Sequence, residues 1–289
     1  MMYNLLAAGA VEPAVLTTVL ASTFNVNTKD VDVADHLGDV GRRNWEAAVS
    51  CEYSALRGDL SWSLEIYAQK SVSAPPPESM LAQRVAAGAG VVVLFPAMED
   101  LPSAYWAATP EGNVTRVRLD VSDDEAPVYV VDAMESPVRQ LPHAKIMRIP
   151  EVVRELKIPT PVTDSFNEHV PAHSLTQESP EWQVWDCLGA WERLVAHMAS
   201  GWAGSGWCPP DLYRERLTAR DGLAGAVPDQ LPPTAAAVLQ QGLQRLDSTY
   251  AHLTAEDQQG LLIGLLLGSQ TQSGQLGWWW HRRPEPLPW

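Results

Sequence analysis

The sequence predicts an α+β chain, with a largely antiparallel N-terminal sheet carrying two helices and a helical, Trp-rich C-terminal domain after it. Short runs that alternate polar and apolar residues in period two recur between Val49 and Val131, separated by Gly, Asn and Asp turns, as half-buried strands do. After Ser179 the apolar residues fall at spacings of three and four instead, the pattern of helix faces packed on a core. The 289 residues exceed what one hydrophobic core usually serves, roughly 250, so two domains are expected. These are an α+β domain over 1–136 and a helical domain over 179–289. A linker over 137–178, rich in Pro, Thr, Ser and His, joins them and holds a short helix near 151–156.

Glu12-Pro13 opens the first helix, in which Val15, Leu16, Val19, Leu20 and Phe24 keep helical spacing. An acidic loop with Asp30, Asp32, Asp35 and Asp39 follows. Segments 49–54 and 61–67 flank Arg57-Gly58-Asp59 and form a hairpin, with Trp62, Leu64 and Ile66 on its inward face. Pro75-Pro76-Pro77-Glu78 starts the second helix, and Gly88-Ala89-Gly90 stops it. A buried strand over 91–95 is closed by Pro96. Segments 104–109 and 114–119 make a second hairpin about Glu111-Gly112-Asn113. A last strand over 128–131 comes after the polar loop Ser122-Asp123-Asp124-Glu125.

In the C-terminal half Ser179 is the N-cap and Pro180 the first residue of a helix with Trp182, Trp185, Leu188, Trp191, Leu194, Val195, Met198 and Trp202 in one stripe. Pro209-Pro210-Asp211 starts a helix through Leu212, Leu217 and Leu223. Another begins at Pro233-Thr234 and carries Leu239, Leu243, Leu246, Tyr250 and Leu253. Thr254-Ala255-Glu256-Asp257 is expected to cap a further helix, with its acidic residues favoured by the helix dipole.

The formal charge of −15 repels nucleic-acid phosphate at long range and would steer a basic protein inward, so a cationic protein partner is expected and nucleic acid is not. No basic leader with a cleavage site opens the sequence, and the longest apolar run, Leu261 to Leu267, is short of the roughly 20 residues that span a bilayer. Neither export nor membrane insertion is therefore expected. Three scattered cysteines, Cys51, Cys187 and Cys208, make a poor disulfide framework and fit a reducing, cytoplasmic setting.

No catalytic, cofactor or metal motif stands out. His169 and His173 flank Pro171 and cannot share a regular helix face, so no metal is expected there. Gly88-Ala89-Gly90 precedes a strand, whereas a phosphate loop follows one. Cys187 packs in the Trp stripe, and Cys208 sits on a loop where it could be exposed, with no nearby base to activate it. Three consecutive tryptophans, Trp278 to Trp280, cannot all face one way on a regular element. Arg282 and Arg283 beside them complete the composition of an interface hot spot.

The stretch from Tyr213-Arg214-Glu215-Arg216-Leu217 through Arg220-Asp221-Gly222-Leu223, with Leu231-Pro232-Pro233, Leu246-Asp247, Leu253-Thr254 and the terminal Trp-rich Arg-Arg-Pro, resembles small uncharacterised actinobacterial proteins, some of them suspected toxin-immunity proteins. The similarity covers the last third and carries no catalytic motif. It implies a binding protein, in concrete form an immunity or antitoxin-like protein that covers a basic toxin. Asp32, Asp35, Asp39, Asp123, Asp124 and Glu125 would steer that partner, and Trp279 or Trp280, with Arg282 and Arg283, would anchor it. The alternatives are an enzyme of unfamiliar type with a pocket between the domains, using His143, His169 or His173, and a structural subunit of a larger assembly.

Overall fold

A computed structural model describes residues 1–97, 101–171, 176–177, 179–225, 230–268 and 276–289. The chain is α+β and divides into two compact units, Met1–Glu151 and Val152–Trp289. The first unit runs β1 (Met2–Ala7), α1 (Pro13–Phe24), β2 (Val31–Asp35), β3 (Val49–Ala55), β4 (Arg57–Gly58), β5 (Trp62–Ala68), α2 (Glu78–Ala89), β6 (Val93–Pro96), β7 (Ala104–Ala108), β8 (Val114–Val121), β9 (Val128–Met134) and β10 (Lys145–Ile146). Its strands form one sheet in the order β10-β9-β8-β7-β6-β1-β5-β3-β2. Pairing is antiparallel except at β2–β3, β9–β10 and β4–β9.

Alternation along the strands feeds two cores. Tyr3, Leu5 and Ala7 of β1, with Val93 and Phe95 of β6, meet Leu16, Leu20 and Phe24 of α1 and Leu81 and Val85 of α2. On the opposite face Leu94, Ala107, Val117, Leu119, Val131 and Met134 pack with Leu60. The second face is enclosed because β4 pairs with β9, curling the β6–β9 meander back onto the corner between β3 and β5. Gly58 makes that closure possible: its φ is +103°, and a Cβ there would lie 2.3 Å from the Tyr129 carbonyl oxygen. A register shift at Arg118/Leu119 adds to the curl.

Strands β1 and β2 fall where no strand was expected. The hairpins about Arg57-Gly58-Asp59 and Gly112-Asn113 form as expected, with Leu64 and Ile66 fully buried and Trp62 stacked on Tyr53 at 4.2 Å. Segment 137–178 does not stand apart from the two units. Val138, Leu141 and Ala144 join the enclosed core of the first, and Val153, Val162, Phe166 and Val170 join the core of the second.

The division falls inside α3 (Pro150–Arg154). The second unit continues with α4 (Pro161–Asn167), α5 (Pro180–Ala199), α6 (Pro210–Gly225), α7 (Pro233–Leu253), β11 (Ala255–Glu256), α8 (Leu261–Leu267) and β12 (Arg282–Arg283). Leu188, Trp191, Leu194 and Val195 of α5 are buried against Tyr213 and Leu217 of α6 and Tyr250 of α7. Ser179 caps α5 as expected, accepting from Trp182 N. Trp185 is exposed, and Trp202 lies past the helix in a left-handed conformation, so the stripe is narrower than expected. Helix α4 crosses α7 at Gly242, where a Cβ would meet Val162 Cγ1 at 2.4 Å.

Residues 255–256 pair with Arg282–Arg283 instead of opening a helix. The N-cap of the next helix is Gly260, and Asp257 Oδ2 accepts from Leu262 N in its first turn at 2.7 Å. Among the described residues no helix is long and apolar enough to cross a membrane.

Candidate functional site

Among the described residues of the first unit, the connection between β2 and β3 carries the most exposed apolar side chains. Leu37 is 90% exposed, Val40 66% and Trp45 67%. Large apolar groups held in water at this density mark interaction surfaces more often than solitary ones do.

The loop is braced from below. Arg43 donates through Nε to Asp32 Oδ2 at 2.6 Å and through Nη1 to Glu52 Oε2 at 3.0 Å. Glu52 also meets His36 Nδ1 at 2.6 Å. Asp32 accepts a further bond from Asn44 N at 3.0 Å, so one half-buried carboxylate on β2 holds both the Arg43 side chain and the Asn44 amide. Asp35 and Asp39 turn the backbone, accepting from Leu37 N and Gly41 N at 2.9 Å each. The Arg43 guanidinium lies 5.1 Å from the centre of the Trp45 ring, which orients the indole.

Electrostatics follow from this packing. The hydrogen bond to Glu52 raises the pKa of His36, and the bonds to His36 and then Arg43 lower that of Glu52. From Lys29 to Glu52 there are six carboxylates and three Lys or Arg, so the exposed apolar groups stand in a negative field.

The expected partner-contact residues divide accordingly. Asp32 is half-buried and serves as a brace, whereas Asp35 and Asp39 are exposed on the loop. Asp123, Asp124 and Glu125 are exposed on the connection between β8 and β9. The proposed anchors need correction. Trp279 and Trp280 are buried, and both indole N–H groups donate to Asp221 of α6, at 3.0 and 2.9 Å. The exposed member of the triplet is Trp278, at 41%.

Arg282 and Arg283 are likewise used inside the second unit. Arg282 donates to Thr254 Oγ1 at 3.0 Å and to the carbonyls of Ala251 and Thr254. Arg283 pairs with Glu285 at 2.9 Å. Trp45, Leu37 and Val40 were missed by sequence reasoning. The available signal was a Trp in a stretch of Asp, Gly, Arg and Asn with no periodicity to bury it.

The candidate histidines that are described make local bonds. His143 Nε2 meets Asp59 Oδ2 at 2.9 Å, but that oxygen also accepts Val131 N at 2.7 Å and so holds the β4–β9 closure. His169 Nδ1 bonds the Ser165 carbonyl at 2.8 Å, and His173 lies outside the described residues. Cys208, expected on an accessible loop, is fully buried, and burial pushes its thiol pKa up to about 11. Among the described residues no three His, Cys, Asp or Glu side chains are grouped to hold a metal ion.

No family model matches the chain, and no curated protein or solved structure does either.

Proposed function

We propose that the chain is a protein-binding protein whose 36–46 loop docks a basic partner, in concrete form as an immunity protein that covers a toxin. The observation that carries this reading is the combination of Leu37, Val40 and Trp45 in water with an ion-paired scaffold that holds them in place. A preorganised aromatic anchor loses little conformational entropy on docking, and the surrounding carboxylates steer a cationic surface toward it. The resemblance of the C-terminal third to uncharacterised actinobacterial proteins, some of them suspected toxin-immunity proteins, supports a toxin as the partner class. Three free cysteines, Cys51 and Cys208 among them buried, fit a reducing cytoplasm, where such a protein would protect its own cell.

The test places a photo-crosslinking phenylalanine analogue at position 45, and separately at Met80 on α2, in the native host. The expected result is one stoichiometric protein of high pI joined at 45 and absent at 80. Its expression alone should arrest growth, and co-expression of this chain should restore it. Equal labelling at both positions, or an acidic partner, would overturn the reading. A basic partner without toxicity would leave docking in place and remove the immunity assignment.

A further inference from the structure

Strand β2 ends the sheet order, with β3 on its inner side and no strand paired to its outer side among the described residues. The direction of its backbone groups follows from one bond: His36 N donates to the Tyr53 carbonyl of β3 at 2.9 Å. Successive residues of a strand turn their N–H and C=O groups to alternate edges. Ala34 and Asp32 therefore also face β3, and Val31, Val33 and Asp35 face outward. The end groups of that outer row are used locally, Val31 N donating to the Thr28 carbonyl and the Asp35 carbonyl accepting Gly38 N. The Val31 carbonyl, the Val33 N–H and carbonyl, and the Asp35 N–H have no partner among the described residues.

This edge is a usable one. β10, at the other end of the sheet, has 2 residues, whereas β2 runs 5 residues in unbroken register with β3. Sheet edges are commonly blunted by Pro, Lys or a bulge, and β2 has none of them. The loop that follows it makes its bonds to the Asp32 carboxylate and the Lys29 carbonyl, and none to the outward backbone groups. Val31 is buried and Val33 half-buried on the core beneath α1 and α2, so a further strand would lay alternate side chains beside them and complete the cover of Val33.

Charge decides which chain fits. Asp30 and Asp35 flank the edge; Asp30 accepts from Asn27 Nδ2 and Asp35 from Leu37 N, and neither has an ion pair among the described residues. Asp32 is already paired with Arg43. A second copy of this chain would bring the same carboxylates to the edge and be repelled, whereas a segment with cationic ends would be attracted.

We infer that β2 is the point of strand addition for a basic partner: an extended segment, apolar where it passes Val31 and Val33 and carrying Lys or Arg at both ends, pairs with the outward backbone groups of residues 31, 33 and 35. Main-chain bonds give such pairings their affinity, and the alternate side chains their specificity. The inference deepens the protein-docking reading and rests on it, since the Leu37–Val40–Trp45 loop leaves β2 directly.

Amide NMR on the full chain takes two capped peptides as probes, Lys-Val-Thr-Val-Thr-Val-Lys and the same sequence with Glu at both ends. The Lys form should move the Val33 and Asp35 amide protons downfield and slow their exchange at least threefold, leaving Asp32 and Ala34, whose N–H groups face β3, unchanged. The Glu form should bind at least tenfold more weakly. Val33→Pro removes an N–H that the ladder to β3 does not use, and should abolish binding, while Val33→Ala should keep it within threefold. If Val33→Pro fails to fold, the probe is altered instead. Methylating the valine amides or the threonine amides blocks one edge of the peptide or the other, so just one of the two forms should bind. No change at Val33 and Asp35, equal affinity for the Glu form, binding that survives Val33→Pro, or equal behaviour of the two methylated forms would each overturn the assignment. Shifts of the same amides with chain concentration alone would overturn it in favour of a second copy. Because the peptides replace the cellular partner, failure here leaves capture at position 45 standing, and failed capture leaves a positive result here standing.

Discussion

Asp221 accounts for the position of the C-terminal tryptophans. Its carboxylate accepts the indole N–H of both Trp279 and Trp280, and Arg220 beside it stacks on Trp279 at 4.2 Å while forking onto Asp247. Asp247 in turn accepts Trp191 Nε1 at 3.2 Å. Amphipathic rings of this kind can enter a core when the polar edge finds an acceptor. Such acceptors lie nearly 60 positions away in sequence, so burial of the triplet was not readable from its own neighbourhood. Asp221→Ala leaves two largely buried donors unmatched and should cost about 2–4 kcal/mol, read as a lower urea midpoint at unchanged slope. His197 gives a second test at this scale. Burial, then Arg216, lowers its pKa from 6.5 to about 4, so between those values the unfolded chain binds the extra proton. The contribution of His197 is whole above pH 6.5 and falls as pH drops toward 4, by about 3 kcal/mol at 1.36 kcal/mol per pKa unit. In His197→Gln the urea midpoint should change less over that range; an unchanged pH profile would mean that other groups set it.

Elements with strong local signals were legible, and those fixed by distant partners were not. The two hairpins carried both alternation and turn residues, and α5 carried a cap, a leading proline and an apolar stripe. β1 exposes Met2 and half-buries Leu6 on the face opposite Tyr3, Leu5 and Ala7, which blurs its alternation. β2, Val-Asp-Val-Ala-Asp, sits among acidic residues and exists through its parallel register with β3, a long-range pairing. The 36–46 loop has the same origin. Its shape comes from Arg43 reaching Asp32 and Glu52, residues on two strands that the sequence shows only as charges in a polar stretch. Asp32→Asn removes one of the two carboxylate partners of Arg43, the closer one, and leaves Glu52 and the strand pairing in place. Amide exchange over 37–45 should quicken at least tenfold, with the β3 and β5 amides unchanged, and docking of the partner should weaken chiefly through faster dissociation. If 37–45 exchanges as slowly as before, the loop is held by its turns alone.

At the scale of the whole molecule, charge is spread, while the highest apolar exposures among the described residues fall on the 36–46 loop. Met1–Glu151 holds 20 carboxylates against 11 Lys or Arg, a formal −9, and Val152–Trp289 holds 15 against 9, a formal −6. Both units are acidic, so charge alone would draw a basic partner to either one. The choice of contact must come from a local feature, and the Leu37–Val40–Trp45 loop supplies it in the first unit. Long-range attraction and short-range docking then separate experimentally, because salt screens the first far more than the second. The screening length falls from about 10 Å at 0.1 M salt to about 3 Å at 1 M. For the partner captured at position 45, stopped-flow association should slow at least tenfold between 0.05 and 0.5 M NaCl, with dissociation changing little. Trp45→Ala should show the reverse, near-normal association and much faster release. Association that ignores salt would restrict the net charge to a role in solubility, leaving the loop to find its partner by shape and apolar contact.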